Sequence, residues 1–309
     1  MVPPLSRRAF LAILGVLAGR RDAPAGAQPP AGGPRVFRSD VELVTTAVTV
    51  TDEAGRLVTT LERDDFDIYE EGRPQAVAQF TSERVPVSLG LALDTSDSMA
   101  GQRMIDAQAA LRRFVDDLLE PVDEAALILF NHTPLIAATW TVDRRPIHES
   151  LRDLHPQGGT AMYDAIHAAL PLFTTRAHPR AALVVVSDGT DTASDTTLVN
   201  LRARLLREDV FIYAIAIDAP DARPSAKVNP HALRELTGQS GGYTEIITGS
   251  AELGPATARI AEELNHQYML GYSPDRPPDN TFRTIRVRVR SGDYRVRSRR
   301  GYVAATRQR

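Results

Sequence analysis

Residues 87–98 read Val-Ser-Leu-Gly-Leu-Ala-Leu-Asp-Thr-Ser-Asp-Ser, an apolar run that ends in a carboxylate and a cluster of hydroxyls. Runs of the same texture stand at 125–130 (AALILF), 181–187 (AALVVVS) and 210–217 (VFIYAIAI). A strand with one wet face alternates apolar and polar residues. A strand without alternation is buried on both faces, as in a parallel sheet covered by helices. Amphipathic segments at 102–119, 160–175 and 197–208 separate the runs, and each is long enough for the crossover that parallel strands require. Residues 135–140 follow the second run too closely for a crossover and are expected to return antiparallel at an edge. The pattern predicts an α/β fold: a doubly wound, mostly parallel six-stranded sheet with one antiparallel edge strand.

The flanks have a different texture. Between 36 and 80 the chain carries short β-forming runs, among them TTAVTV at 45–50 and the alternating Phe66-Asp67-Ile68-Tyr69 before the turn Glu71-Gly72-Arg73-Pro74. After a last helix at about 251–267, β-like alternation returns at 267–271, 285–289 and 294–296. Neither flank is large enough to be stable alone. The expected solution is one small accessory β domain built from the N-terminal module (36–84) and the C-terminal segment (266–309), with the α/β domain (85–265) inserted between them.

Three stretches of the α/β region carry chemistry. Asp94-Thr95-Ser96-Asp97-Ser98 ends the first buried strand, Gly158-Gly159-Thr160 opens a helix, and Ser187-Asp188-Gly189 ends the 181–187 run. If the central strand order is three-two-one-four-five-six, the strands ending at Asp94 and Asp188 are neighbours. Both carboxylates then face the crevice beyond the carboxyl ends of the strands, where doubly wound sheets bind ligands. Asp94, Ser96, Ser98, Thr160 and Asp188 together make a hard-oxygen donor set suited to Mg2+ or Mn2+, with Ca2+ ranking below them. Taken singly, each piece could be a helix cap or a turn. The argument rests on all five arriving at one sheet edge.

The order D-x-S-x-S, G-G-T, S-D-G resembles the metal-ion-dependent adhesion site of the von Willebrand factor A family, over about residues 85–265. The flanking G-R-L-V-T-T-L, D-D-F-D-I-Y-E-E-G, Q-Y-M-L-G-Y and R-R-G-Y resemble exported bacterial members of that family, abundant in acidobacteria. The resemblance implies binding rather than turnover. Few carboxylates would touch the ion directly, leaving it net positive with an open position for an acidic side chain of a protein or peptide partner. It also allows the helix at 251–267 to move on ligation.

The N-terminus is expected to be removed. Ser6-Arg7-Arg8-Ala9-Phe10-Leu11, an apolar stretch of about ten residues and Ala25-Gly26-Ala27 together form a secretory signal. The stretch is shorter than the roughly 20 residues of a membrane span, and no other segment offers an anchor. The paired arginines resemble the twin-arginine signal, which exports folded proteins to the periplasm or beyond. Cleavage after Ala27, ahead of the Pro/Gly linker at 28–35, removes four arginines and one aspartate and takes the net charge from −3 to −6. That balance excludes a general nucleic-acid binder. With no cysteine, disulfides and thiolate sites are excluded too.

Catalysis is disfavoured. The sequence has no H-E-x-x-H and no P-loop. A magnesium-dependent hydrolase or phosphoryl-transfer enzyme using Asp94 is one alternative, but position 96 is serine where the related D-x-D-x-T pattern has aspartate. A scaffold with a vestigial metal site is the other. Asp191 and Asp195 are expected to form a solvated acidic loop rather than a second cation site. The arginines of 283–300 are expected to line a solvated strand face, with Arg286, Arg288 and Arg290 on one side.

Overall fold

The computed structural model describes residues 43–188, 190–218 and 229–305. The expected signal peptide (1–27) and linker (28–35) lie outside the described residues. Among the described residues, six strands form the central sheet: Val87–Asp94 (β5), Glu124–Phe130 (β6), Pro134–Thr141 (β7), Arg180–Ser187 (β8), Phe211–Ile217 (β9) and Thr244–Ile247 (β10). Their order is β10-β9-β8-β5-β6-β7. All neighbours are parallel except β7, which returns antiparallel against β6. This is the expected reversal of strand order, with β5 beside β8. Every residue of β5, β8 and β9 is buried, which is why those segments show no polar alternation.

Helices cover both faces. Gln102–Arg113 (α1), Arg145–Ser150 (α2) and Leu253–Asn265 (α6) pack on one side, where Met104, Leu111, Ile147 and Ile260 meet Leu89, Leu91 and Leu93. Met162–Ala169 (α3), Leu198–Leu205 (α4) and Pro230–Ser240 (α5) pack on the other, where Ile166, Leu201 and Leu236 meet Ile128, Leu183 and Val185. Two of the expected helices are shorter as α-helix than their amphipathic pattern. The first continues as a π-turn over Phe114–Leu118 and the second as a 3-10 turn over Leu170–Thr175. In the second, Pro171 lacks the N–H that an α-helix interior would use.

The flanks form two antiparallel sheets. Val44–Thr51 (β1) lies between Tyr268–Tyr272 (β11) and Arg295–Ser298 (β13), and Gln79–Thr81 (β4) joins the far side of β11. The register puts Val44 opposite Tyr272 and Val48 opposite both Tyr268 and Ser298. In the second sheet Phe66–Glu70 (β2) lies between Arg73–Gln75 (β3) and Phe282–Val289 (β12), with Gly301–Val303 (β14) outermost. N-terminal and C-terminal strands therefore share both sheets. Val48, Val50, Phe66, Ile68, Tyr268, Leu270, Ile285 and Val287 fill the space between them. β1 is buried on its other face too, where Ala47 packs into the core of the α/β region. That double burial explains the unbroken TTAVTV run.

A buried polar cluster joins this sheet to α6. Glu263 accepts hydrogen bonds from Thr49 Oγ1 at 3.0 Å and Tyr213 Oη at 2.8 Å, and Arg297 forms an ion pair with it. The Arg297 guanidinium stacks 4.9 Å from the Tyr243 ring.

The arginines of 283–300 do not form one strip. Arg286 and Arg288 share the exposed face of β12 and Arg290, one residue past its end, is exposed too, but Arg283 faces inward and is fully buried. Arg297 and Arg299 are bound to Glu263 and Asp209.

Gly242 shows how tightly β10 is seated. A Cβ there would lie 2.0 Å from the Ile212 carbonyl oxygen, whereas one at Gly249 would meet nothing within 4 Å. Gly242→Ala is expected to cost about 3 kcal/mol or more, because backbone cannot step aside as a side chain can. Gly249→Ala should stay within about 0.5 kcal/mol of wild type in the same urea titrations. Equal midpoints for the two variants would contradict this packing.

Candidate functional site

The carboxyl edge of the sheet is set by the ends of β5 and β8, which run parallel in register from Val87 and Arg180 to Leu93 and Val186. Asp94 and Asp188 emerge one and two residues beyond the last pair. Both are buried, Asp94 completely.

Hydrogen bonds tie four of the five candidate residues into one chain. Asp94 Oδ1 accepts from the Ser96 N–H at 2.8 Å. The Ser96 and Ser98 hydroxyls lie 3.1 Å apart, and Ser98 Oγ donates to Asp188 Oδ1 at 2.6 Å. The geometry comes from the loop: Ser96 is extended (φ −71°, ψ 167°) and Asp97–Met99 makes one 3-10 turn. That turn brings two hydroxyls spaced by one residue to the same side.

Thr160 reaches the same edge through its backbone. Its N–H donates to Thr192 Oγ1 at 3.0 Å, and its carbonyl accepts from Thr192 and Ala193 at 2.8 and 3.1 Å. The preceding loop is fastened to the first one. Gln157 N–H donates to the Thr95 carbonyl at 2.8 Å, and Asp97 N–H to the Gly158 carbonyl at 3.0 Å. Gly158 has φ +77°, and a Cβ there would meet His132 Nδ1 at 2.6 Å, so glycine is required. Thr160 is itself buried, but among the described residues its hydroxyl makes no hydrogen bond to the other four.

Two partners were not foreseen. Ser187 Oγ donates to Asp94 Oδ2 at 2.5 Å. Arg103 Nη1 donates to Asp188 Oδ2 at 2.9 Å and to the Ser98 carbonyl at 2.8 Å. The only sequence signal for Arg103 was a cation in the first turn of the helix that follows Gly101. Burial pushes the Asp94 carboxyl up to about 6, against the lowering effect of the Ser187 and Ser96 hydrogen bonds.

Asp191 and Asp195 serve the local fold. Asp191 Oδ2 accepts from the Tyr163 N–H at 2.8 Å, capping α3, and from Ser194 Oγ at 2.7 Å. Asp195 N–H donates to Asp164 Oδ2 at 2.9 Å. Asp97 is exposed.

The donor set fits a hard divalent cation in kind. It offers two carboxylates and three hydroxyls, all oxygen. Ser98 already lies within hydrogen-bond distance of both Ser96 and Asp188, and a serine that donates to a carboxylate still has lone pairs to turn toward a cation. Among the described residues no three His, Cys, Asp or Glu side chains gather as a metal cluster, so this set depends on its hydroxyls. Arg103 shares the Asp188 charge and would weaken, not block, such a site.

Residues 89–190 match the family model of the von Willebrand factor type A domain. No curated protein matches the chain. Among solved structures, a von Willebrand factor type A protein from Catenulispora acidiphila is similar at 14% identity and a TM-score of 0.52, covering 86% of this chain and 75% of that one. Proximal thread matrix protein 1 from the mussel byssus is similar at 14% identity and 0.50, covering 63% and 49%. BatB from Bacteroides thetaiotaomicron aligns at 21% identity and 0.49, covering 58% and 97%. The family match, together with the fold shared with the first two structures, supports a von Willebrand factor type A domain at the centre of this chain.

Proposed function

We propose that the protein is an exported, non-enzymatic binding module that grips an acidic group of a protein or envelope partner through a divalent cation, Mg2+ or Mn2+. The ligands assigned are Asp94, Ser96, Ser98, Thr160 and Asp188. The observation that carries this reading is the continuous chain Asp94–Ser96–Ser98–Asp188 at the edge where the strand order reverses.

When bound, the cation would supply a Lewis-acidic position able to accept a carboxylate oxygen from the partner. The chain's own residues do the positioning. Ser187 and the Ser96 N–H fix both oxygens of Asp94, while Ser98 and Arg103 fix those of Asp188. Such fixed rotamers reduce the entropy lost on binding. A nucleophilic serine would need its hydroxyl to donate to a base such as histidine, and among the described residues the Ser98 hydroxyl donates to Asp188 and lies against Ser96 instead.

Export rests on residues 6–27, with the twin-arginine pair directing the route to the periplasm or the exterior. Among the described residues no helix is long and apolar enough to cross a membrane.

Titration of the purified protein with Mn2+ should show one site, lost in Asp188→Ala with circular dichroism unchanged. Millimolar acetate, standing in for the partner's carboxylate, should tighten Mn2+ binding, and Mn2+ should tighten acetate binding by the same factor. A folded Asp188→Ala protein with unaltered Mn2+ affinity would refute the assignment.

A further inference from the structure

Arg103 stands in the first turn of α1, just after the loop that carries Ser96 and Ser98. Its Nη1 donates to Asp188 Oδ2 at 2.9 Å and to the Ser98 carbonyl at 2.8 Å. One guanidinium nitrogen therefore touches two of the five assigned ligand residues. The Asp188 side chain is 1% exposed and that of Arg103 26%. A contact so far withdrawn from water is screened little by salt, so the Arg103 charge is felt strongly at Asp188.

For holding a cation, arginine is a costly choice. It carries a fixed positive charge and no acceptor, and it repels any ion that Asp188 attracts. A neutral donor such as an amide could orient the carboxylate without that repulsion. The same charge has the opposite effect on an anion. A carboxylate that approaches the loaded site meets the field of the ion, of the ligand carboxylates and of Arg103 together, and every positive charge kept there strengthens its hold. Asp97, Asp106, Asp191 and Asp218 stand in these loops, on α1 and at the end of β9. They are present with or without Arg103, so their charges cancel from the comparison.

We propose that Arg103 is a built-in cationic member of this site, which loosens its grip on the divalent cation and strengthens the grip of the loaded site on an anionic partner. The inference rests on the ligand assignment above. Arg103 acts through Asp188 and through its field, as a positioning and specificity residue. It favours partners that bring a carboxylate over those that bring only a hydroxyl or carbonyl oxygen.

Mn2+ titrations of wild type, Arg103→Gln and Arg103→Lys, each with and without millimolar acetate, test it. Arg103→Gln is expected to bind Mn2+ about tenfold tighter and to lose most of the tightening that acetate gives. Arg103→Lys keeps the charge and should keep the wild-type pattern. In chelator, Arg103→Gln should unfold at a lower temperature than wild type, because Asp188 has lost its counter-charge. Mn2+ should then raise its midpoint by more than it raises that of wild type. Arg103→Met, which also removes the charge, replaces Arg103→Gln if the glutamine variant does not fold.

An arginine that only braced Asp188 would give the opposite sign, with Mn2+ and acetate both held more weakly in Arg103→Gln. That result, or a Mn2+ affinity and acetate response equal to wild type, overturns this inference alone. No Mn2+ binding in any of the proteins, wild type included, overturns the ligand assignment and this inference with it.

Discussion

Arg283→Met is expected to lower the unfolding free energy by about 3–5 kcal/mol, the usual cost of stranding one member of a buried ion pair. Arg283 is fully buried, with Nη1 3.3 Å from Glu70 Oε1 and 3.1 Å from the Arg276 carbonyl, and Nη2 3.3 Å from Asp279 Oδ1. Glu70, on β2, spends its other oxygen on Tyr272 Oη at 2.7 Å and Tyr302 Oη at 2.9 Å. Burial, and then the Glu70 carboxylate, drives the Tyr302 hydroxyl up to about 12 and that of Tyr272 higher still, so both stay neutral donors. Methionine would leave Glu70 as a buried anion with two hydroxyl donors and no counter-charge. Adding Glu70→Gln, which keeps an acceptor for the tyrosines and removes the charge, should recover part of the loss. Arg286→Met, three residues along the same strand but exposed, should change stability by less than about 0.5 kcal/mol. Guanidinium titrations of the four proteins decide it: a loss below about 1 kcal/mol for Arg283→Met means that the cluster contributes little.

The second large effect concerns the candidate metal site. Under the proposed function, Mg2+ or Mn2+ at a hundredfold excess over Kd adds about 2.7 kcal/mol to the unfolding free energy, and Asp94→Ala removes the whole of that increment. The variant should remain folded in chelator. Asp94 is a fully buried carboxylate whose desolvation is only partly offset by Ser187 and Ser96. Its removal therefore relieves one cost while leaving those donors unpaired, for a net change of about 1–3 kcal/mol. Thermal unfolding of wild type and variant, with metal and with chelator, separates the two contributions. A metal-dependent rise of equal size in both proteins would move the ion away from Asp94.

The core sheet was legible because burial on both faces removes alternation, and β5, β6, β8 and β9 each show that signature. β10 was not. Thr244–Ile247 is four residues long and only Ile247 is buried, so it carries no pattern above the background. α5 had readable start signals in Asn229, whose side chain accepts from Ala232 N, and in Pro230, yet it lacks a long apolar stripe. Within the site, Asp94, Ser96, Ser98 and Asp188 could be found because strand ends are visible in sequence and topology brings them together. Ser187 and Arg103 could not, since a serine that ends a strand and an arginine that opens a helix have many uses. Arg283 shares the inward parity of Ile285 and Val287, but its charge assigned it to the solvated face with the other arginines. Its acid partner stands 213 positions earlier, beyond any local pattern.

The pairing of the flanking sheets sets an order in time. β1 and β2 are synthesised first, but their neighbours β11, β12 and β13 come more than 200 residues later. At ribosomal rates of about 5–20 residues per second, the first strands wait about 10–40 s for partners. The α/β region, whose strands follow one another without such a gap, can close during that wait. β1 meanwhile presents an uncharged, β-branched stretch of the kind that pairs with foreign strands. The two flanking sheets are complete only once residues 268–303 have left the ribosome.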